Sequence, residues 1–191
     1  KNKQYTIKKV PLKVKMKNKS RNYGEANPEF NPEVDAVYEG FINGEGKENL
    51  GGDLVIACDA DANSDAGKYD ITGAGLIDNT NHYDIEYVKG TLTINKIPQP
   101  DMRVSAPDAG NKVKGRTVVN NKGLCRIQVD GVLGDAALKY KSSNTKSATV
   151  DAAGLVRATG KRSATVTITV TAAETTNYKA TSKTIKVWVP K

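Results

Sequence analysis

Residues 164–172 read Ala-Thr-Val-Thr-Ile-Thr-Val-Thr-Ala, in which apolar and polar side chains alternate without a break. Successive side chains of a β-strand point to opposite faces of its sheet, so this alternation is typical of a strand with one buried and one solvated face. It predicts a long core strand whose threonines face water. Residues 184–190, Thr-Ile-Lys-Val-Trp-Val-Pro, repeat the pattern and predict a second strand of the same kind.

The same alternation occurs in the first half of the chain. Residues 11–17 place Leu, Val and Met between lysines, and residues 91–94 read Thr-Leu-Thr-Ile. Clusters of Gly, Asn, Asp and Pro separate these stretches, as expected of turns between short strands. No long stretch combines a helical period with capping residues. We therefore predict an all-β fold.

Two closely spaced prolines indicate a domain boundary. The length of 191 residues suits one large domain or two small ones. Pro98 and Pro100 follow a predicted strand directly, and proline hinders strand pairing and stiffens a connector. Residues 96–101 are therefore predicted to form a short, semi-rigid linker. The prediction is two tandem β domains, residues 1–96 and residues 97–191.

The two halves differ in charge. Residues 1–96 contain 13 basic and 15 acidic residues and residues 97–191 contain 16 and 6, so −2 and +10 sum to the net +8. The lysines alternate with apolar residues along strands rather than with aromatic residues, which favours a solvated strand face over nucleic-acid binding. No apolar run approaches the ~20 residues of a membrane-spanning helix, so no membrane insertion is predicted.

Three blocks of the first half resemble, in order, the signature blocks of the MBG domain of the YGX type. The blocks are residues 21–30, 64–71 and 82–96. Tyr23-Gly24 matches the Tyr-Gly pair of that module, and Gly67 and Tyr69 match its Gly-x-Tyr. The resemblance implies a β-rich repeat module of bacterial cell-surface proteins. Residues 33–53 are more acidic and richer in glycine than that module leads us to expect.

The second half is similar to bacterial immunoglobulin-like domains of group 2. Residues 138–189 carry the similarity, through the Ser-Ser-Asn strand end at 142–144, the Gly-x-Val-x-Ala hairpin at 154–158 and the alternating strand at 164–170. The similarity implies an Ig-like β-sandwich. Such modules occur in tandem in adhesins and extracellular enzymes, which implies an extracellular or cell-surface location.

Exposed aromatic side chains are the predicted ligand-binding residues, because the C–H face of a sugar stacks on a flat ring. Trp188 alternates with Val187 and Val189 and is predicted to face outward. Packing of Trp188 against a neighbouring segment is the alternative. Tyr23 is the second candidate, and the alternative for it is a turn in which the ring packs over the strand ends.

An acidic stretch offers oxygen ligands at alternate positions. These residues are Asp59, Asp61, Asn63, Asp65 and Asp70. Calcium prefers six to eight oxygen ligands, so a calcium site is one interpretation of this spacing. The other is a polar strand edge that ends in a turn, and no other cofactor is predicted. Only one histidine, His82, is present, and nothing brings two carboxylates into a cleft, so no catalytic activity is predicted.

The combined prediction is a non-catalytic fragment of a bacterial cell-surface or secreted protein that mediates adhesion or carbohydrate binding. Its expected partners are a glycan or a host-surface protein, together with further domains of the same parent chain, because the sequence begins without an initiator methionine. The alternative is a structural spacer that presents a distal binding or catalytic domain. A Lys–Asn or Lys–Asp crosslink is also left open by the abundance of these residues.

Overall fold

A computed structural model describes residues 8–108, 110–113, 116–119, 123–160 and 163–190. The chain divides into two compact units, and the division falls between Asn95 and Lys96. Nearly all regular structure is β-strand, so the all-β prediction is confirmed.

The first unit contains short strands and two single-turn helices. They are β1 Val10–Met16, β2 Lys19–Asn22, α1 Pro32–Asp35, β3 Ala36–Glu39, a 3-10 turn at Lys47–Asn49, β4 Leu50–Gly51, β5 Val55–Cys58, β6 Gly67–Ala74, β7 Ile77–Asp78, β8 Tyr83–Val88 and β9 Gly90–Asn95. Three sheets form, in the orders β3-β1-β8, β2-β9-β6-β5 and β4-β7. The β1–β8 and β2–β9 pairs are parallel, and the other pairs are antiparallel.

The alternating residues of β1 and β9 supply the core of the first unit. Val14 and Leu92 are fully buried, while Lys13 and Lys17 are exposed, because neighbouring residues of a strand face opposite ways. The buried cluster comprises Val14, Met16, Leu54, Ala60, Ile71, Leu92 and Ile94. Its members come from two sheets and from loops, so the loops of this unit share its core.

The second unit combines short strands with two long ones, the last two in the chain, of nine residues each. They are β10 Arg103–Ser105, β11 Gly110–Val113, β12 Arg116–Val118, β13 Leu124–Arg126, β14 Gln128–Asp130, β15 Leu138–Ser142, β16 Ala148–Val150, β17 Leu155–Ala158, β18 Ala164–Ala172 and β19 Thr181–Val189. A five-stranded sheet of order β11-β12-β19-β18-β15 and a three-stranded sheet of order β13-β17-β16 share one core. Val166, Ile168 and Val170 are fully buried there, as the alternation predicted.

The predicted linker is part of the second unit. Ile97 N–H donates to the carbonyl of Asn177 at 3.0 Å. The Gln99 amide is buried and pairs twice with the backbone of Leu133, with both distances at 2.8 Å. Hydrogen bonds of Ile97 and Gln99 with backbone groups of other segments therefore hold residues 96–101 in place. Pro98 and Pro100 predicted a semi-rigid linker but did not indicate these hydrogen bonds.

Candidate functional site

A cleft of about 300 Å³ opens in the first unit. Its lining residues are Pro32, Glu33, Tyr38, Lys47, Leu50, Gly52, Asp53, Leu54 and Leu76. They come from α1 and β3, from the stretch between the 3-10 turn and β5, and from the turn after β6. Small-molecule sites are usually lined mostly by apolar side chains with a few convergent polar groups, whereas polar and apolar surface contribute about equally to the lining of this cleft.

Two glycines allow two turns of the chain to pack closely beside the cleft. Gly52 has φ +72° and Gly75 has φ +101°, both in the left-handed region. A Cβ atom on Gly52 would lie 2.2 Å from the carbonyl oxygen of Gly75, so no side chain fits between these two turns. The Tyr87 hydroxyl accepts a hydrogen bond of 2.8 Å from Leu76 N–H, which fixes the turn that carries Leu76 into the cleft.

Tyr38 forms one wall. It lies on β3 opposite Val14 of β1, and its ring packs against the core of the unit. The ring of Phe41 stacks beside it, with centroids 6.0 Å apart and planes inclined by 22°. Burial raises the pKa of Tyr38, so its hydroxyl keeps its proton at physiological pH. Tyr38 therefore offers an apolar ring together with a neutral hydroxyl.

The rim of the cleft is charged but nearly balanced. The Lys47 ammonium pairs with the Glu33 carboxylate, and the hydrogen bond from Lys47 to Glu33 raises the pKa of Lys47. The Asp53 carboxylate is exposed at the same rim. Carboxylates accept hydrogen bonds and cannot donate them when ionised, so this rim presents acceptors to hydroxyl groups.

The loop that leads into the rim is anchored by polar side chains. Glu45 accepts a hydrogen bond of 2.6 Å from the Tyr83 hydroxyl, and its other oxygen lies 2.9 Å from His82 Nδ1. Tyr83 is 1% exposed, and its hydroxyl accepts from Ile42 N–H at 3.1 Å. These bonds hold the loop from Ile42 to Glu45 on the strand that carries Tyr83, which lends the cleft a fixed outer edge.

Residues 12–93 match the MBG domain (YGX type), and residues 130–174 match the immunoglobulin-like domain of intimin. The chain carries an MBG domain followed by an immunoglobulin-like domain. The predicted families and their order are confirmed. The second match is to the immunoglobulin-like domain of intimin, whereas the similarity described from the sequence was to bacterial immunoglobulin-like domains of group 2. No curated protein sequence matches the chain significantly.

Similar solved structures include extracellular proteins of several kinds. The EC1-4 fragment of Drosophila N-cadherin is 11% identical, with 96% of this chain and 50% of that chain covered and a TM-score of 0.36. A SusE-like surface-located polysaccharide-binding protein from the heparin utilisation locus of Bacteroides thetaiotaomicron is 16% identical, with 95% and 34% covered and a TM-score of 0.33. This chain thus spans half or less of the length of these proteins. TM-scores this low support no conclusion on function.

The two domain matches together fit an adhesion or binding module of a surface protein, and they suggest an extracellular location. Among the residues that the structure describes, none belongs to a helix long and apolar enough to cross a membrane.

Tyr23 of the MBG domain lies outside the cleft. Its ring packs against the buried cluster of the domain, and its N–H donates to the carbonyl of Asn95 at 2.9 Å. Gly24 follows with φ +82° in an open turn. This is the packing turn that the sequence analysis gave as the alternative for Tyr23.

The five predicted calcium ligands do not form a carboxylate cage. Within the described residues, no group of three or more His, Cys, Asp and Glu side chains is arranged to hold a metal ion. Asp61 Oδ1 accepts from Asn63 N–H at 2.9 Å, and Asp70 pairs with Lys89 at 2.7 Å. The buried Arg21 guanidinium donates to the Asp61 carbonyl at 2.5 Å, which places a positive charge beside the loop.

Trp188 of the Ig-like domain is partly exposed on β19. Its neighbours Val187 and Val189 are fully buried, so Trp188 lies on the other face of the sheet. The register pairs it with Thr165 of β18 on one side and with Val118 of β12 on the other.

The cleft residues were not predicted as site residues. Tyr38, Glu33 and Asp53 lie within or beside the stretch 33–53 that departs from the MBG pattern in its acidic and glycine content. That departure was the available signal, because binding residues are found disproportionately on irregular segments that a rigid scaffold positions.

Proposed function

We propose that this chain is a non-catalytic binding part of a bacterial cell-surface or secreted protein, and that the cleft of the MBG domain holds one neutral sugar unit of a glycan. The observation that supports this proposal is the pairing of an apolar wall, Tyr38 and its leucine neighbours, with a rim where the exposed Asp53 carboxylate lies beside the Glu33–Lys47 ion pair. Sugars present an apolar C–H face and a set of hydroxyls, and this cleft offers a complement to each.

The size and charge of the cleft favour a terminal, uncharged sugar. A volume of about 300 Å³ is at the small end of ligand sites, so a single ring fits better than an oligosaccharide. Glu33 is neutralised by Lys47, whereas Asp53 is exposed, so an anionic sugar would meet repulsion at the rim. A hydroxyl that donates to Asp53 would instead be favoured.

The test begins with the whole chain on an array of glycans and extracellular-matrix proteins, with and without calcium. For the neutral glycan that binds, we compare Tyr38→Ala with Tyr23→Ala, since both rings pack on the same core and only Tyr38 lines the cleft. We expect Tyr38→Ala to weaken binding roughly tenfold or more and Tyr23→Ala to change it little. Equal losses, or binding to matrix proteins alone, would contradict the proposal.

Asp53→Asn is the finer variant, with Asp84→Asn as its control, because both carboxylates are exposed. We expect only Asp53→Asn to reduce affinity, by a few fold, since one charged acceptor is replaced by a neutral amide.

The calcium site is tested on the same array. Calcium-dependent binding that is lost in Asp61→Asn would support the site, and binding that does not depend on calcium would argue against it.

The spacer function remains the second candidate, and the fixed connector favours it. Gln99 and Ile97 tie the connector to the Ig-like domain by backbone hydrogen bonds. A spacer requires no ligand, so a result in which the whole chain binds nothing on the array would favour the spacer function over the binding function.

A further inference from the structure

The outer face that β15, β18 and β19 present in the five-stranded sheet of the Ig-like domain is polar and basic. We call it the Thr/Lys face. Its residues are Lys139 and Lys141 of β15, Thr165, Thr167, Thr169 and Thr171 of β18, and Ser182, Thr184, Lys186 and Trp188 of β19. The alternate residues of β18 and β19, such as Ile168 and Val187, are fully buried, so the residues between them point away from the core.

The register arranges these side chains in rows across the sheet. The rows are Lys139–Thr171–Ser182, Lys141–Thr169–Thr184, Thr167–Lys186 and Thr165–Trp188. Adjacent strands are about 4.8 Å apart and alternate residues of one strand about 6.8 Å. The three lysines therefore spread over a plane on the order of 10 Å wide, with the tryptophan at one end.

The face carries positive charge without compensation from its own strands. β15, β18 and β19 contain no Asp or Glu. Lys139, Lys141 and Lys186 are exposed, and within the described part of the chain none of them takes part in an ion pair. The field above this face is therefore positive and attracts an anionic partner.

We propose that the Thr/Lys face binds an anionic polysaccharide, one that carries sulfate or carboxylate groups along its length. The lysine charges are spread over three rows of the sheet, which suits an extended polymer rather than a small anion. The hydroxyls of the Thr and Ser rows can donate to and accept from sugar hydroxyls, and Trp188 offers a ring for a sugar to stack on. This site is independent of the cleft in the MBG domain.

The chain contains a single tryptophan, which gives the proposal a direct readout. Dextran sulfate, polygalacturonate and unsulfated dextran of equal length are titrated into the intact chain at physiological salt, and the Trp188 emission is followed. We expect a saturable change with one or both anionic polymers and none with dextran. No saturable change with either anionic polymer would overturn the proposal.

The charge requirement is tested by a triple variant, Lys139→Gln, Lys141→Gln and Lys186→Gln. The matched control is Lys146→Gln, Arg157→Gln and Lys179→Gln, which removes the same charge from exposed positions outside the face. We expect the face variant to bind the anionic polymer roughly tenfold more weakly than the parent, the size expected for three exposed charge pairs. Equal weakening in both variants would show attraction by net charge alone and would overturn the proposal.

Random-sequence double-stranded DNA separates a polysaccharide site from a nucleic-acid site. We expect DNA to bind more weakly than the anionic polysaccharide at the same salt concentration. Tighter binding of DNA that is lost in the face variant would reassign the face to nucleic acid and overturn the proposal. Trp188→Phe keeps an aromatic side chain but removes the tryptophan emission, so its binding is measured by titration calorimetry; we expect it to retain most of the affinity for the polysaccharide.

Discussion

The two domains form their proposed binding surfaces in opposite ways. In the MBG domain, the strands near the cleft are as short as two residues, and the cleft forms where loops meet over two closely packed glycines. In the Ig-like domain, β18 and β19 run for nine residues each and present a plane. Irregular chain thus forms the concavity in the first domain, whereas regular alternation places the Thr/Lys residues on one face of the sheet in the second.

The domains also differ in what holds their surfaces in place. The MBG loops depend on buried or half-buried polar groups, among them Asp78, Glu45 and Arg21. The Thr/Lys face depends on apolar side chains beneath it, such as Ile168. Substitutions and pH should therefore affect the two surfaces differently.

The largest expected effect comes from the apolar layer beneath the Thr/Lys face. Ile168→Ala removes a fully buried side chain and should destabilise the Ig-like domain by roughly 2–5 kcal/mol. Thr167→Ala, on the opposite face of the same strand, should change stability by less than about 0.5 kcal/mol. Urea denaturation monitored by Trp188 emission measures both, and similar losses would contradict the assignment of the two faces.

The second prediction concerns the glycine contact under the cleft. Gly52→Ala combines a left-handed backbone with a Cβ that would lie 2.2 Å from the Gly75 carbonyl, so we expect a loss of roughly 2–4 kcal/mol in the MBG domain. Gly24→Ala is the control, because φ is +82° there and the space is open. Calorimetry should show a smaller loss for Gly24→Ala, and an equal loss would mean that the contact is not tight.

The third prediction concerns the loss of stability of the MBG domain at low pH. Asp78 is nearly buried, and although burial opposes ionisation, hydrogen bonds from Tyr83 N–H, the Thr80 hydroxyl and N–H, and Lys9 lower its pKa well below the usual range. A lowered pKa means that Asp78 stabilises the fold above about pH 4 and loses that contribution as pH falls through the folded-state pKa. Asp78→Asn should therefore lower the melting temperature of the MBG domain at neutral pH.

The pH profile separates this electrostatic contribution from packing. The difference in melting temperature between the parent and Asp78→Asn should be full at pH 7 and should narrow below about pH 4. Asp84→Asn, at an exposed position, serves as the control and should show little difference at any pH. A difference that stays constant from pH 7 to pH 2.5 would contradict the role given to the Asp78 carboxylate.

The sequence predicted the Thr/Lys face far better than the cleft, for a physical reason. Alternation over residues 164–172 determines both the strand and the facing of every side chain in it. The cleft combines residues as far apart as Pro32 and Leu76, and its β4 and β7 strands are too short to show a period. Contacts between residues so far apart in the chain produce no local sequence pattern. The only indication of the cleft in the sequence is the acidic and glycine-rich composition of residues 33–53.

The calcium prediction illustrates the same difference. The spacing of oxygen side chains from Asp59 to Asp70 resembles a calcium loop in sequence. In the structure, Asp61 caps its own turn and Asp70 pairs with Lys89, and neither contact has a signature in the spacing. Local patterns predict which side chains are available but not which partners the fold brings to them.

The two proposals together give the chain two independent carbohydrate surfaces of different charge preference. Amide chemical-shift mapping of the intact chain, titrated separately with the neutral glycan identified on the array and with dextran sulfate, tests this directly. We predict that the neutral glycan perturbs amides at residues 33–54 and 76, and that dextran sulfate perturbs β15, β18 and β19. Perturbation of the same residues by both ligands would contradict the claim.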